Sequence, residues 1–522
     1  MVSGQPGQGK LTARRFPTTA NPPPGRPWPI APCLPLPRQW TLALLLAAGL
    51  THGLIARCAG QDPVHTSARA MAPNPPQPLP ESLAQSPANS STPPQPASDS
   101  PVTAPVTATV TATVTATDTA TDTAPVTAPD TAPDTATNTA TENPSPPLQR
   151  FPLRGPPIDY FAPADNPLTR LASQVTAGEI SLPPEPQLAL PVVLEALGIP
   201  VQSQWLVFAK NAAQGRLISP TNPRAVYFHD TISVAFTPGA AALEMSVVDP
   251  RRGPLFYALR FSPNAPPRLT RDDNCLACHV SEHTRQVPGF PLRSFVTDPL
   301  GKPRHGWSGI TDQTPFARRW GGYYVTGDAA GIEHLGNLAS ADALARFAQT
   351  GARIHEVDLA LGPAGQRHLR ATSDVVPLLL HDHQANFLTL ATRVAYEAAN
   401  GAPLDSVPAF VRVLLLADQP PLPGPIQPDP EYRRWFESHP SRANPSLRRL
   451  DLQTRLLAAP CSWLVESPLC LELPVAARRA IHRQLRPLLE PPNPPSGWPQ
   501  WSAAERQQLQ ELLLQQIFPE GE

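Results

Sequence analysis

The amino-acid sequence predicts an α+β protein: an antiparallel β-rich N-terminal half, a loop-rich middle segment and a helical C-terminal half, all behind a disordered tether. Three observations carry this expectation. Residues 224–261 alternate apolar and polar side chains with the period of a strand, broken by turn residues. Beyond residue 340, apolar residues recur at helical spacing. Before residue 148, Pro, Ser, Thr and Ala dominate, and such a stretch has too few large apolar groups to offset the entropy of ordering it.

Taken in order, residues 1–60 read as a basic leader followed by a signal peptide or signal anchor. Lys10, Arg14, Arg15, Arg26 and Arg38 precede an apolar run from Trp40 to Ala56. That run is about 17 residues long, the lower limit for spanning a bilayer. Residues 40–56 therefore form either a cleaved export signal or an uncleaved membrane tether. Residues 61–147 are a linker of low complexity, with short Thr-Ala-x repeats from Val102 to Thr141. The 73 prolines among 522 residues lie heavily in this first part, against a usual share of about 5%. Net charge is −1, which gives no reason to expect nucleic acid or anionic lipid as a partner.

The folded part starts near Leu148. It exceeds the size of a single core, so two subdomains flanking a middle segment are expected: a β-rich one at 148–270, the segment at 271–340 and a helical one at 341–522. In the first, Arg224–Phe228, Thr231–Phe236, the alternating Leu243, Met245 and Val247, and Leu255–Phe261 form a meander, with turns at His229-Asp230, Pro238-Gly239 and Asp249–Gly253. The last part carries helices at Ser340–Thr350, Asp374–Asn400, Ala476–Leu489 and Ala503–Ile517, with Ser502 as an N-cap.

Between them lies Cys275-Leu276-Ala277-Cys278-His279, the Cys-x-x-Cys-His attachment signature of a c-type haem. The two thiols can each form a thioether with one vinyl group of a single haem, and the histidine after the second cysteine reaches the iron as proximal ligand. Cys275 and Cys278 are thus expected to hold one haem c, and His279 to ligate its iron. A redox dithiol would not require the histidine. A zinc site would need a second ligand pair, and Cys33, Cys58, Cys461 and Cys470 form no further Cys-x-x-Cys. Bacterial c-type haem is attached outside the cytoplasmic membrane, so the motif and the export signal support each other and place the chain in the periplasm or elsewhere outside that membrane. A short helix is expected around Cys275–His283.

The group opposite His279 is open in the sequence. Met1 and Met71 precede the folded part, and Met245 sits in a strand beside Leu243 and Val247, where core packing suits it. Two histidines stand out as the second iron ligand. His383 shares a helical stripe with Leu379, Phe387, Leu390 and Val394; the alternative is a core histidine bonded to a carbonyl. His334 lies in a Gly-rich loop. His283 falls on the same helix face as His279, and His305 is an outsider. Water or an open position is the remaining case. Arg318 and Arg319 are read as propionate partners, since a guanidinium pairs bidentately with a carboxylate, or else as solvated surface arginines. Trp320, Tyr323 and Tyr324 either line the haem or pack. Cys461 and Cys470 either pair in an oxidising compartment or remain isolated thiols.

Several stretches together resemble a family of exported bacterial proteins described only as cytochrome c domain-containing: Ser203–Phe208, Ile218-Ser219-Pro220, Pro223–Phe228, the haem motif, Arg319-Trp320-Gly321-Gly322-Tyr323-Tyr324-Val325-Thr326-Gly327, His334-Leu335-Gly336-Asn337, His383-Gln384 and Thr454-Arg455-Leu456. The resemblance spans nearly all of 150–520 and implies haem c and electron transfer, without a specific reaction. One departure stands out: the family often has His-Met-Gly-Asn where this chain has Leu335, so that methionine is not available here as an iron ligand. The expected function is electron transfer with an unidentified redox partner protein. The alternatives are a peroxidase-like haem enzyme with an open distal site, and a haem-based sensor or scaffold.

Overall fold

The centre of the fold is a six-stranded antiparallel meander in which sequence order is spatial order. The structure, a computed structural model, describes residues 148–304, 308–354, 367–441, 444–490 and 494–521. The leader, the apolar run at 40–56, the linker and His305 lie outside the described residues. The protein is α+β, with the sheet preceding a helical C-terminal part.

The strands are β1 Trp205–Val207, β2 Arg224–Phe228, β3 Ile232–Phe236, β4 Ala242–Asp249, β5 Gly253–Ser262 and β6 Ala265–Arg271. The middle four follow the alternation in the sequence. The two edges are additions. β1 has three residues, too few to show a period. β6 contains Pro266 and Pro267, which argue against a strand until its place is known: at the edge of a sheet a missing N–H removes no ladder bond.

Alternation gives the sheet two faces. Leu206, Tyr227, Val234, Met245 and Tyr257 point to one side, into a core shared with α1 (Pro167–Thr176) and α2 (Pro186–Ala196). Both helices begin with proline, whose fixed φ suits the first turn. The Asn166 side chain accepts from the backbone N–H of Leu168 and Thr169, capping α1. Met245 is buried in this core. Trp205, Val226, Phe228, Ala235 and Val248 point to the other side and join the core of the helical part.

The chain leaves β6 into α3 (Leu276–His279), crosses a two-stranded ribbon of β7 (Arg293–Ser294) and β8 (Ser308–Gly309), and reaches α4 (Ala341–Thr350). The expected helix to His283 stops at His279: Val280 leaves helical geometry, and Ser281 opens a separate 3-10 turn over Glu282–Thr284. The same-face relation of His283 to His279 therefore does not hold.

α5 (Val375–Ala399) is the long helix, capped by the Asp374 side chain. It is buried around its circumference because it lies between the sheet and the remaining helices: α6 Val407–Leu414, α7 Pro430–Ser438, α8 Pro468–Leu471, α9 Val475–Leu489 and α10 Ala503–Leu509. The last helix was expected to run to Ile517; after Leu509 it widens into π-helical turns over Gln510–Ile517. Ser502 caps it as expected, its hydroxyl accepting from the Glu505 N–H while the Glu505 carboxylate accepts from the Ser502 N–H.

Candidate haem site

The Cys275–His279 turn is built at the end of β6. Asp272 accepts from the Asn274 N–H and pairs with Arg260 at 2.6 Å, which fixes the start of the turn. Cys275 is half-buried and Cys278 exposed, and both are free thiols. Burial, reinforced by the Asp272 carboxylate, pushes the Cys275 thiol up to about 11. A dithiol redox site uses a lowered pKa, so Cys275 has the opposite tuning.

His279 is held on three sides. Its imidazole lies over Phe256 of β5, with centroids 4.2 Å apart, and Phe290 approaches edge-on at 6.5 Å. Its Nδ1–H donates to the Gly289 carbonyl at 2.7 Å, and the Gly289 N–H donates back to the His279 carbonyl at 3.0 Å. The Gly289-Phe290 segment is pinned in turn to α5, where Thr389 Oγ1 accepts from the Phe290 N–H at 3.1 Å. A Cβ on residue 289 would fall 2.8 Å from Thr389 Cγ2, so glycine is what lets the loop approach the helix this closely. With Nδ1–H committed, the Nε2 lone pair is the free donor, and a metal-binding histidine commonly has its other nitrogen tied in this way. Burial holds the imidazole neutral, its pKa lowered to about 4.

Two guanidinium groups act electrostatically on His279: Arg224 at the start of β2 and Arg293 in β7. Arg224 pairs with Glu244 through one terminal nitrogen, yet its Nε, like that of Arg293, is buried without a hydrogen bond. Two thiols, a neutral imidazole with a bare Nε2 and two incompletely satisfied guanidiniums form a donor set that fits a haem with its vinyls, iron and two propionates. Sequence reasoning passed over both arginines. Arg224 reads as an ordinary strand residue, and nothing local marks Arg293; only strand pairing and loop packing bring them to the motif.

The other expected site residues gather elsewhere, in a buried polar network between the 310–320 loop and the far side of α5. Arg319 pairs with Asp382 at 3.3 Å, donates to the carbonyls of Thr314 and Asp312, and stacks on Phe316. Trp320 donates its indole N–H to the same Asp382 at 3.0 Å. Both are buried and committed, which corrects their assignment to the haem. Arg318 is exposed, and among the described residues no contact links it to the Cys275–His279 turn. His383 is also corrected as an iron ligand: Nδ1 bonds Asp312 at 3.0 Å and Nε2 bonds Ser462 at 2.7 Å, so neither ring nitrogen is left for a metal. The order Asp312–His383–Ser462 has the connectivity of a hydrolytic triad. Ser462 is fully buried, however, and its hydroxyl accepts from the Leu464 N–H, so it is a structural cap beyond the reach of a substrate.

His334 packs on Trp320 with centroids 5.5 Å apart, and its Nδ1 accepts from the Gly336 N–H at 3.0 Å. His334 thus braces a turn, and among the described residues no contact links it to the Cys275–His279 turn. The surrounding motifs share this role. Trp320 takes φ 62°, Gly321 lies where a Cβ would be 2.5 Å from the Phe295 carbonyl, and Asn337 clamps Val325 through both N–H and C=O.

One histidine that sequence reasoning did not single out faces the sheet from α5. His381, on α5, meets Phe228 edge to face with centroids 4.8 Å apart and Trp205 at a tilt with centroids 4.9 Å apart. It lines a narrow cleft with room for about one water, together with Ser233, Ser246, Phe290 and Gln384. Burial drives its pKa down to about 3, so it too is a neutral imidazole. Cys461 and Cys470 are buried free thiols. Among the described residues, no helix is long and apolar enough to cross a membrane.

No family model, curated protein or solved structure matches this chain.

Proposed function

We propose that this protein is an exported c-type cytochrome that carries one haem on Cys275 and Cys278, with His279 as proximal iron ligand, and passes single electrons to a redox partner protein. The observation that carries the proposal is the hydrogen bond from His279 Nδ1 to Gly289, which leaves Nε2 as an iron donor beside two free thiols at the attachment spacing. When bound, haem supplies a one-electron ferric/ferrous couple. The chain's part is to hold and insulate it. Thr389 and Gly289 orient the imidazole, Phe256 and Phe290 exclude water from it, and Arg224 and Arg293 offer charge to the propionates. The resemblance to exported cytochrome c domain-containing proteins agrees with this function.

The test is an absorption spectrum of protein exported in cells that mature c-type haem, recorded oxidised and reduced. An electron carrier gives a six-coordinate low-spin spectrum and reversible one-electron reduction. A high-spin spectrum with rapid cyanide or peroxide binding would instead establish a peroxidase-like enzyme.

A further inference from the structure

We infer that residues 149–162 form a strap that braces the haem-binding turn from both sides, and that Arg150 and Phe151 are positioning residues for His279. The inference rests on the cytochrome function proposed above and deepens it by naming what sets the proximal ligand's orientation from outside the motif.

The downstream side is the segment that carries Gly289, the acceptor of the His279 imidazole. Arg285 and Gln286 both take left-handed backbone, with φ 55° and 61°, which side chains other than glycine rarely adopt. Such a conformation persists where its surroundings hold it. Here the strap does so. Arg150 Nε donates to Gln286 Oε1 at 3.0 Å. One terminal nitrogen of Arg393, on α5, donates to the Arg285 carbonyl at 3.1 Å and to the Gln149 carbonyl at 2.6 Å, tying loop and strap to the helix together. The same guanidinium lies 4.6 Å from the centre of the Phe151 ring. Next along the loop, Val287 is fully buried in a small core with Phe151, Ile158 and Tyr396. Pro288 has a fixed φ, and Gly289 follows. The anchoring of Val287 on Phe151 is thus passed on to the carbonyl that His279 bonds.

The upstream side is the end of β6. Arg271, its last residue, pairs at 2.8 Å with Asp273, two residues before Cys275. Its guanidinium lies 4.5 Å from the centre of the Tyr160 ring and donates to the carbonyls of Tyr160 and Ala162. Tyr160 is fully buried, and its hydroxyl donates to the Pro254 carbonyl of β5 at 2.9 Å. Its N–H donates to the Leu153 carbonyl, which closes the strap on itself. One continuous stretch therefore fastens to Arg271 before the motif and to residues 285–287 after it. Two thioethers and one iron bond must reach the same ring, so Cys275, Cys278 and His279 need a fixed mutual geometry. A brace at both ends of the turn supplies it. Arg393 keeps its own partner, Glu397 at 2.8 Å, when the strap is loosened, so a strap variant does not bury a lone cation.

The experiment compares the exported full-length wild type with Phe151→Ala and Arg150→Ala. Arg150 is exposed, so its variant leaves the core intact and serves if Phe151→Ala fails to fold. The first readout is hydrogen exchange by mass spectrometry, following the amides of 285–290 against those of β3 and β4. Both variants are expected to exchange several-fold faster at 285–290 and unchanged in the two strands. The second readout is the midpoint potential of the haem-loaded protein. A hydrogen bond from Nδ1–H makes the imidazole a more basic ligand, which favours ferric iron, so loosening the strap should raise the potential. Unchanged exchange at 285–290, exchange that rises equally throughout the chain, or an unchanged potential in both variants would overturn the inference. A wild type without covalent haem, read by intact mass, would overturn the cytochrome function itself, and the exchange readout then still decides whether the strap holds the loop.

Discussion

At His279, one side chain takes its orientation from residues far apart in the sequence. Phe256 supports the ring, Gly289 accepts its N–H, and Thr389 holds the loop that carries Gly289. Gly289→Ala places a methyl 2.8 Å from Thr389 Cγ2 and pushes the carbonyl off the imidazole. The expected outcome is at least a several-fold loss of haem-loaded protein at equal expression, measured by the haem-to-protein absorbance ratio; equal loading would show that the loop does not position His279. The cysteine and histidine spacing made the motif itself legible in the sequence. That His381 rather than His383 meets the sheet was not legible. Two residues on a helix point about 200° apart, and on a helix buried all round an apolar stripe does not tell which face meets the sheet. The stripe that marks His383 faces the helical core, where Phe387 packs on Phe410 and Trp463 covers His383.

Among the elements, α5 connects the sheet, the Gly289-Phe290 loop and the helical part, and its N-terminus carries a pH-dependent group. Burial raises the Asp374 carboxyl to about 7, and Asp429 adds to the effect. The folded value lies above the unfolded one, near 3.9. The folded state therefore holds the proton more tightly, and the resulting stabilisation, complete below the unfolded pKa, is lost as pH rises through about 7. Asp374→Asn keeps a capping side chain and removes the titration. Relative to the parent it should gain on the order of 2–3 kcal/mol between pH 5 and pH 8, read from urea midpoints at the two pH values; a constant difference would exclude the effect. The Arg319–Asp382 pair, which joins the 310–320 loop to α5, makes a larger demand. Arg319→Met leaves Asp382 buried without its cation, a change that costs about 3–5 kcal/mol in comparable cases. Chemical unfolding should show a loss of that size. These elements were partly legible. The long helix followed from its periodicity and Asp374 cap, whereas the arginines and tryptophan of the glycine-rich stretch looked like cofactor ligands because their carboxylate partner lies over sixty residues away.

For the whole molecule, the sheet and the C-terminal helices share one apolar core: Trp205, Val226, Phe228 and Ala235 pack with Phe387, Leu388 and Phe410. Across that boundary Asp230 accepts from the Trp463 indole at 2.9 Å and pairs with Arg448. Unfolding followed by tryptophan fluorescence and by far-ultraviolet circular dichroism should therefore give coincident midpoints; two separated transitions would mean that the halves fold independently. The α+β class was legible because alternation and helical spacing occupy separate stretches. The helices on the outer face of the sheet were not, since their proline-rich starts resemble loop until the first-turn role of proline is considered. The central claim at this scale is that the whole assembly exists to hold one covalent haem at the rim of the sheet. Its most direct test is peptide mass mapping of protein produced with c-type haem maturation. The peptide containing Cys275 and Cys278 is expected to carry one haem through two thioethers, and the Cys275→Ala, Cys278→Ala double variant to carry none. Both cysteines recovered as free thiols in the exported wild type would contradict the claim.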